Sequence, residues 1–280
     1  GDLVARYFSQ KLSTVLQQSV VVDARPGAGN LIATELAAKA APDGYTILLV
    51  NDTHAINASF GQKLPYDTIK DFAPISLIAT TPFVMVVHPS LPVQSVQDLI
   101  KLAAAKPGQL NYGSSGIGTG AHLSIELLNL LAKVNIVHIP YRGISQALVD
   151  LVAGRVQVMI VSPASANPLV QGKKLMAMAT TGASRFGAMP DLRTIRESGV
   201  AGYEFSSAYG LLAPANTAPA RITLLNGTIV GLMKEPDVIA WLKEVSADPA
   251  ANSPEAFQKY LLERIAMYTK LGQALKLRMD

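Results

Sequence analysis

The 280-residue sequence contains no cysteine. That excludes disulfides, thiolate metal sites and a cysteine nucleophile, and it suits an oxidising compartment. Aromatics are scarce at 6%, and charged residues make up only 16%. A formal charge of +4 is dispersed, with no basic run longer than Lys173-Lys174. A nucleic-acid binder concentrates Lys and Arg into a patch and offers aromatic platforms, so no nucleic acid is expected. The small positive excess is a weak bias toward small anions. Long hydrophobic runs are missing too. Phe83 to Val87 and Val156 to Val161 stop far short of the roughly 20 residues of a spanning helix. The chain opens at Gly1 without Met or a charged-then-apolar leader, and is read as starting after a processing boundary, with any export signal out of sight.

What is present is apolar residue, at 49%, enough for more than one core at this length. Val4, Phe8, Leu12 and Leu16 stripe an opening helix, and Val20-Val21-Val22 is expected as a buried strand. Pro26-Gly27-Ala28-Gly29 supplies a turn before a helix striped by Ile32, Leu36 and Ala40. Pro42-Asp43-Gly44 then precedes the strand Thr46 to Val50. Ser95 with Asp98 forms a capping box that opens a helix. Strands follow at Leu110 to Tyr112, Ile136 to Ile139, Val156 to Val161 and Leu175 to Thr180, with helices between them. This alternation predicts an α/β fold with mostly parallel sheets covered on both faces.

Two apolar extended segments interrupt the alternation, Phe83 to Val87 and Tyr209 to Ala213, and after Pro219 the chain is again helical. The expected architecture has a discontinuous first lobe, 1–87 and 209–280, and an inserted second lobe, 88–208, with two crossing strands as a hinge. Trp241 is expected to pack.

The most informative segment is Asn111-Tyr112-Gly113-Ser114-Ser115-Gly116-Ile117-Gly118-Thr119-Gly120-Ala121-His122. A strand ends, glycines admit close approach, hydroxyls add donors and a helix begins, which is the composition of an anion site. The plainer alternative is a turn that only glycine can make. Gly116, Gly118 and Ala121 also satisfy a dinucleotide fingerprint, but the next strand ends in His138-Ile139-Pro140-Tyr141 without the acid that would hold a ribose. There is no Walker lysine and no GxSxG elbow. His54, His88, His122 and His138 lack metal-ligand spacing, so no metal and no cofactor are expected. No carboxylate pair or catalytic constellation is visible, and no enzyme is expected.

In parallel sheets, ligands lie beyond the carboxyl ends of strands. Asn51, Thr53 and His54 follow one strand end, Tyr141 and Arg142 another, and Ser162 a third. Arg142 is either a bidentate partner for a carboxylate or a solvated turn residue.

Further segments carry a family resemblance. They are Arg25-Pro26-Gly27-Ala28-Gly29, Ala41-Pro42-Asp43-Gly44-Tyr45-Thr46, Thr53-His54-Ala55-Ile56-Asn57, Leu64-Pro65-Tyr66-Asp67 with Lys70-Asp71-Phe72-Ala73-Pro74, Leu110 to Gly116, His138-Ile139-Pro140-Tyr141, and Tyr209-Gly210-Leu211-Leu212-Ala213-Pro214. In this order they resemble the periplasmic solute receptors of tripartite tricarboxylate transporters, also called Bug proteins. The resemblance implies a type II periplasmic-binding-protein fold and a periplasmic, exported receptor. It implies a small carboxylate held between the lobes, aliphatic di- or tricarboxylate or aromatic, and delivery to a permease of large and small membrane subunits. It places binding on Ser114, Ser115, Gly116, Gly118 and Thr119 and on Thr53; Ile117 in the same loop and Ala208 and Tyr209 on the returning strand join the candidate set. A monomer is expected. A signalling receptor of the same fold is the alternative within this resemblance, and a nucleotide- or phosphate-using α/β enzyme is the alternative of another class.

Three departures from the family pattern are visible. Of its opening strand and Pro-Gly-Gly loop only the tail, Gly1-Asp2, is present. Val161 stands where relatives carry an Asp that suits an amino or hydroxyl group, and Ala208 stands where many have Trp. The last two imply a ligand without an amino group and with room for a bulkier carboxylate.

Overall fold

The computed structural model describes residues 2–25, 30–61 and 63–275. The chain divides into two units, one of residues 1–80 and 208–280 and the other of residues 81–207. The sequence places the boundaries at 87/88 and 208/209; the division falls at 80/81 and 207/208.

In the first unit, α1 (Asp2–Leu16) buries Val4, Phe8 and Leu12, the four-residue stripe read from sequence. The sheet is built from β1 (Leu48–Val50), β2 (Phe72–Pro82), β8 (Ser206–Pro214) and β9 (Asp248–Pro249), in the order β1-β8-β2-β9. Alternate residues of a strand face opposite sides. Ile78 and Leu211 accordingly join Val4, Phe8 and Leu12 in one core, with Ile229 of α8 (Pro219–Leu232) and Val238 and Leu242 of α9 (Pro236–Glu244). Leu77 and Leu212 join the other core with Leu48, Val50, and Phe257 and Leu261 of α10 (Pro254–Leu275). The sheet is thus buried on both faces. Trp241 packs as expected, its ring stacked on Tyr7 at 3.8 Å.

Val20 to Val22 is not a strand, and Val21 is 81% exposed. A groove of about 620 Å³ lies between this segment and β1, lined by Leu12, Val20, Val22, Ile47 and Leu49. A three-residue valine run forms a strand only when a neighbouring ladder takes its backbone groups; β1, at the edge of its sheet, pairs with β8, Leu48 facing Leu212 and Val50 facing Gly210, and the groove keeps Val20 to Val22 off its other edge. The Pro26-Gly27-Ala28-Gly29 turn and Gly1 lie outside the described residues.

The second unit holds β3 (Val84–Val87), β4 (Asn111–Ser114), β5 (Val137–Pro140), β6 (Val158–Val161) and β7 (Met176–Thr180), in the order β5-β4-β6-β3-β7. Around it run α4 (Val96–Ala105), α5 (Gly120–Ala132), α6 (Ile144–Val152) and α7 (Pro163–Gln171). The Ser95 cap of α4 forms as read, its hydroxyl accepting the Asp98 amide and bonding the Asp98 carboxylate at 2.8 Å. The expectation of mostly parallel sheets is corrected. β4 runs parallel to β5 and β6, but β3 is antiparallel to both β6 and β7, β1 is antiparallel to β8 and β9 to β2. β3 lies between β6 and β7 in that order. Phe83 to Val87, expected as a crossing strand, is therefore an interior strand of the second unit's sheet. Val84 to Val87 is buried along its whole length, as a strand covered on both faces must be, and Phe83 before it is half-buried. β2 is the strand that carries the chain from one unit to the other. Among the described residues no helix is long and apolar enough to cross a membrane.

Candidate functional site

In the second unit the predicted residues gather where β4 ends and α5 begins. The loop between them needs glycine, since Gly116 and Gly118 have φ of +127° and +77°, values that cost an L-residue a steric penalty. Its inner side is tied down. Ser114 is fully buried; its Oγ accepts the Gly116 amide at 3.1 Å, lies 3.0 Å from the Gly116 carbonyl and is 2.7 Å from His138 Nε2. The Thr119 hydroxyl donates to the Gly116 carbonyl at 2.8 Å and caps α5 by accepting from the His122 amide. The Gly118 amide donates to His122 Nδ1 at 3.1 Å.

The outer side is where a ligand can be held. Ser115, Gly116, Gly118 and Thr119 are half-buried, and Ile117 is 66% exposed at the tip. Gly120 and Ala121 open α5, and their amides have no preceding turn to bond. With the helix dipole they form a concentrated positive end suited to a carboxylate.

The other second-unit candidates are more occupied. The Tyr141 hydroxyl donates to Asp150 at 2.8 Å, and Asp150 also binds Arg155. Burial, and then the bond to Asp150, push the Tyr141 phenol up. That same bond, with Arg155, holds the Asp150 carboxyl below its ordinary range. Arg142 is exposed. Ser162 caps α7, its hydroxyl accepting the Ser165 amide and lying 2.9 Å from the Ser165 hydroxyl.

In the first unit, α2 (Leu31–Ala38) and α3 (Asp52–Ser59) begin near one another. Asn51 caps α3 by accepting the Thr53 amide, and Thr53 also bonds the Asn51 side chain through its hydroxyl. Asn30, left-handed at φ 70° ahead of α2, donates to Thr53 Oγ1 at 3.0 Å and to Asn51 Oδ1 at 3.4 Å. Sequence reasoning missed Asn30. The signal available was an Asn directly after a Gly-rich turn and just before a helical stripe, a residue type enriched in the left-handed region.

His54, grouped with Asn51 and Thr53 in the sequence, sits in the core at 4% exposure. Its Nε2 donates to the Thr68 carbonyl at 3.1 Å, and its ring packs on Tyr66 and Phe72. Burial pulls its pKa down to about 4. Ala208 is buried, its amide donating to the Asp52 carboxylate at 3.3 Å. Tyr209 is half-buried, and burial, then the nearby Asp52 charge, raise its phenol.

The structure also joins two histidines that are scattered in the sequence. The rings of His122 and His138 lie 4.2 Å apart, both against Tyr112. Among the described residues no group of three or more His, Asp or Glu side chains is placed to hold a metal ion.

Comparison with known proteins places this geometry in context. The profile of the tripartite tricarboxylate transporter family receptor matches residues 4–277. The UPF0065 protein encoded in the tcbD-tcbE intergenic region of Pseudomonas sp. strain P51 is 36% identical over 271 residues, 96% of this chain and 81% of that protein. The structure of R. palustris Rpa4515 with adipate superposes with a TM-score of 0.73 at 36% identity, covering 97% of this chain and 91% of that one. MatC (Rpa3494) from Rhodopseudomonas palustris with bound malate gives a TM-score of 0.69 at 27% identity, covering 96% and 93%.

Proposed function

We propose, from the premise that this chain belongs to the tripartite tricarboxylate transporter receptor family, that it binds a small dicarboxylate through the Gly116 loop and hands it unchanged to a membrane transporter. The family is one of periplasmic solute-binding receptors. Its members bind small carboxylates and serve transporters, and this chain is a carboxylate-binding receptor of that kind. Export to the periplasm, a large and a small permease subunit as partners, a monomeric state and the lack of any catalytic step are the finer parts of the proposal.

One observation carries the ligand reading. The loop from Ser115 to Ala121 presents a hydroxyl and the first amides of α5, which no preceding helical turn takes, while its inner polar groups are already satisfied. Such a site holds a carboxylate by backbone donors and needs no partner cation. Ser115 and the amides that open α5 would grip one carboxylate, with Gly116, Gly118 and Thr119 shaping the loop that receives it and Ile117 against the ligand's carbon chain. Asn51 and Thr53, held by Asn30, and Tyr209 are the candidate binding residues of the first unit, and Tyr141, Arg142 and Ser162 are the remaining candidates of the second. His54, Ala208 and Ser114 support their neighbours from below, since all three are buried.

The structures with adipate and malate carry two carboxylates apiece on short chains, which makes an aliphatic dicarboxylate the first choice here. Val161 and Ala208 favour a ligand without an amino group. A thermal-shift series with adipate, malate, citrate, benzoate, glutamate and ATP tests this, because a ligand that binds only the folded state raises the melting temperature. A shift with dicarboxylates and none with glutamate or ATP is expected. A shift confined to ATP would overturn the receptor reading.

A further inference from the structure

The Gly116 loop is built from residues that leave it floppy unless something beneath it decides its shape. Two of its positions are glycines at positive φ, and glycine loses more freedom on ordering than any other residue. A loop that must be ordered by its ligand binds more weakly than one ordered in advance. What lies beneath is a stack of three rings from three elements. Tyr112 of β4 lies 4.8 Å from His138 of β5 and 6.4 Å from His122 of α5, and the two imidazoles are 4.2 Å apart. The stack is anchored at its far side, where the Tyr112 hydroxyl donates to Glu126 at 2.6 Å, one turn beyond His122 on the same helix. On its near side each imidazole reaches the loop once, His138 at Ser114 and His122 at Gly118.

We propose that His122 and His138 are positioning residues for the carboxylate loop, with His122 acting as a fixed neutral acceptor that holds the Gly118 amide and so sets the backbone facing the ligand. This rests on the loop being the binding element. The geometry dictates the protonation state. A backbone amide donates to His122 Nδ1, so that nitrogen carries no proton, and the ring's one proton is on Nε2. A proton on Nδ1 would set two donors against each other beside the positive end of α5 and a second imidazole. Burial, and then the neighbouring His138, lower the His122 pKa to about 4, which keeps the ring in the accepting form. Acceptance at this one atom, more than ring volume, is what the loop needs.

Three measurements test this on the whole chain. Long-range proton–nitrogen spectra of the histidine rings at pH 7.5, without ligand, should show His122 as the neutral Nε2–H tautomer; an Nδ1–H tautomer would overturn the proposal without any substitution. Amide exchange should find the Gly118 proton protected in the wild type and in His122→Asn, whose Oδ1 takes the place of Nδ1, and unprotected in His122→Leu. Calorimetric titration with adipate should give His122→Asn an affinity within about two-fold of wild type and His122→Leu one about ten-fold weaker, the effect of one lost ordering hydrogen bond. Equal loss in both variants, or no loss in His122→Leu, would refute the positioning role. Should His122→Leu fail to fold, the tautomer and the Asn variant still decide. If the wild type binds no carboxylate, the functional reading fails, while the tautomer and the exchange pattern still judge the brace.

Discussion

His54 allows the stability of the first unit to be linked to pH by a single atom's surroundings. Its ring is 4% exposed, its Nε2–H bonds the Thr68 carbonyl, and its Nδ1 is buried without a hydrogen-bond partner among the described residues. Burial lowers its pKa from 6.5 to about 4. A depressed histidine pKa means that the unfolded chain takes up a proton first as pH falls. The stability this group protects is therefore intact above pH 6.5 and declines from there toward pH 4. At pH 5 the loss amounts to about 2 kcal/mol, and at pH 7.5 it is close to zero. His54→Gln is the informative substitution, because its amide nitrogen can replace the Nε2 donor and it cannot titrate. Urea unfolding of both proteins at pH 7.5 and pH 5 should show the difference in unfolding free energy swinging toward the variant by about 2 kcal/mol. Groups titrating alike in both proteins cancel. The lowered carboxyls, Asp67 and Asp98 among them, lose their stabilisation only below the ordinary carboxylate range. A swing below about 0.5 kcal/mol, or one favouring the wild type, would refute this account of His54.

Other substitutions have equally definite outcomes. A Cβ at Gly210 would lie 2.2 Å from the tip of the buried Phe257 ring, so Gly210→Ala should cost about 1–3 kcal/mol in urea melts. A second substitution, Phe257→Leu, should return part of that loss, and strict additivity of the two would contradict the contact. Ser95→Ala removes the cap of α4 and should cost about 1 kcal/mol, with no change in ligand affinity. Ser115→Ala should weaken dicarboxylate binding by about five- to ten-fold while leaving the melting temperature of the free protein unchanged.

The parts of the fold that were legible in the sequence are those set by local patterns. Val4, Phe8 and Leu12 announce α1, the Ser95–Asp98 pair announces α4, and the run of glycines and hydroxyls from Gly113 to Thr119 announces the turn into α5. Pairing partners are another matter. Val20 to Val22 has every local property of a strand and forms none, because a groove separates it from the edge of β1. Val84 to Val87 shows its extended conformation but not that it lies antiparallel between β6 and β7. The same limit governs the site. Ser115 and Gly116 declare themselves by composition, whereas the convergence of His122 and His138 depends on β5 lying beside β4, a pairing of residues 26 positions apart that no local window reveals. His54 is the converse, a polar residue in a polar-looking run that the fold turns inward to Thr68.

The central claim is that this chain holds a dicarboxylate and does not transform it. Isothermal titration of the purified protein with adipate and with malate, followed by recovery and analysis of the ligand, tests it most directly. The account predicts saturable one-to-one binding of at least one of them, abolished or weakened in Ser115→Ala, with the ligand recovered unchanged. Absence of binding to every carboxylate alongside saturable binding of a nucleotide, or recovery of a converted product, would contradict it.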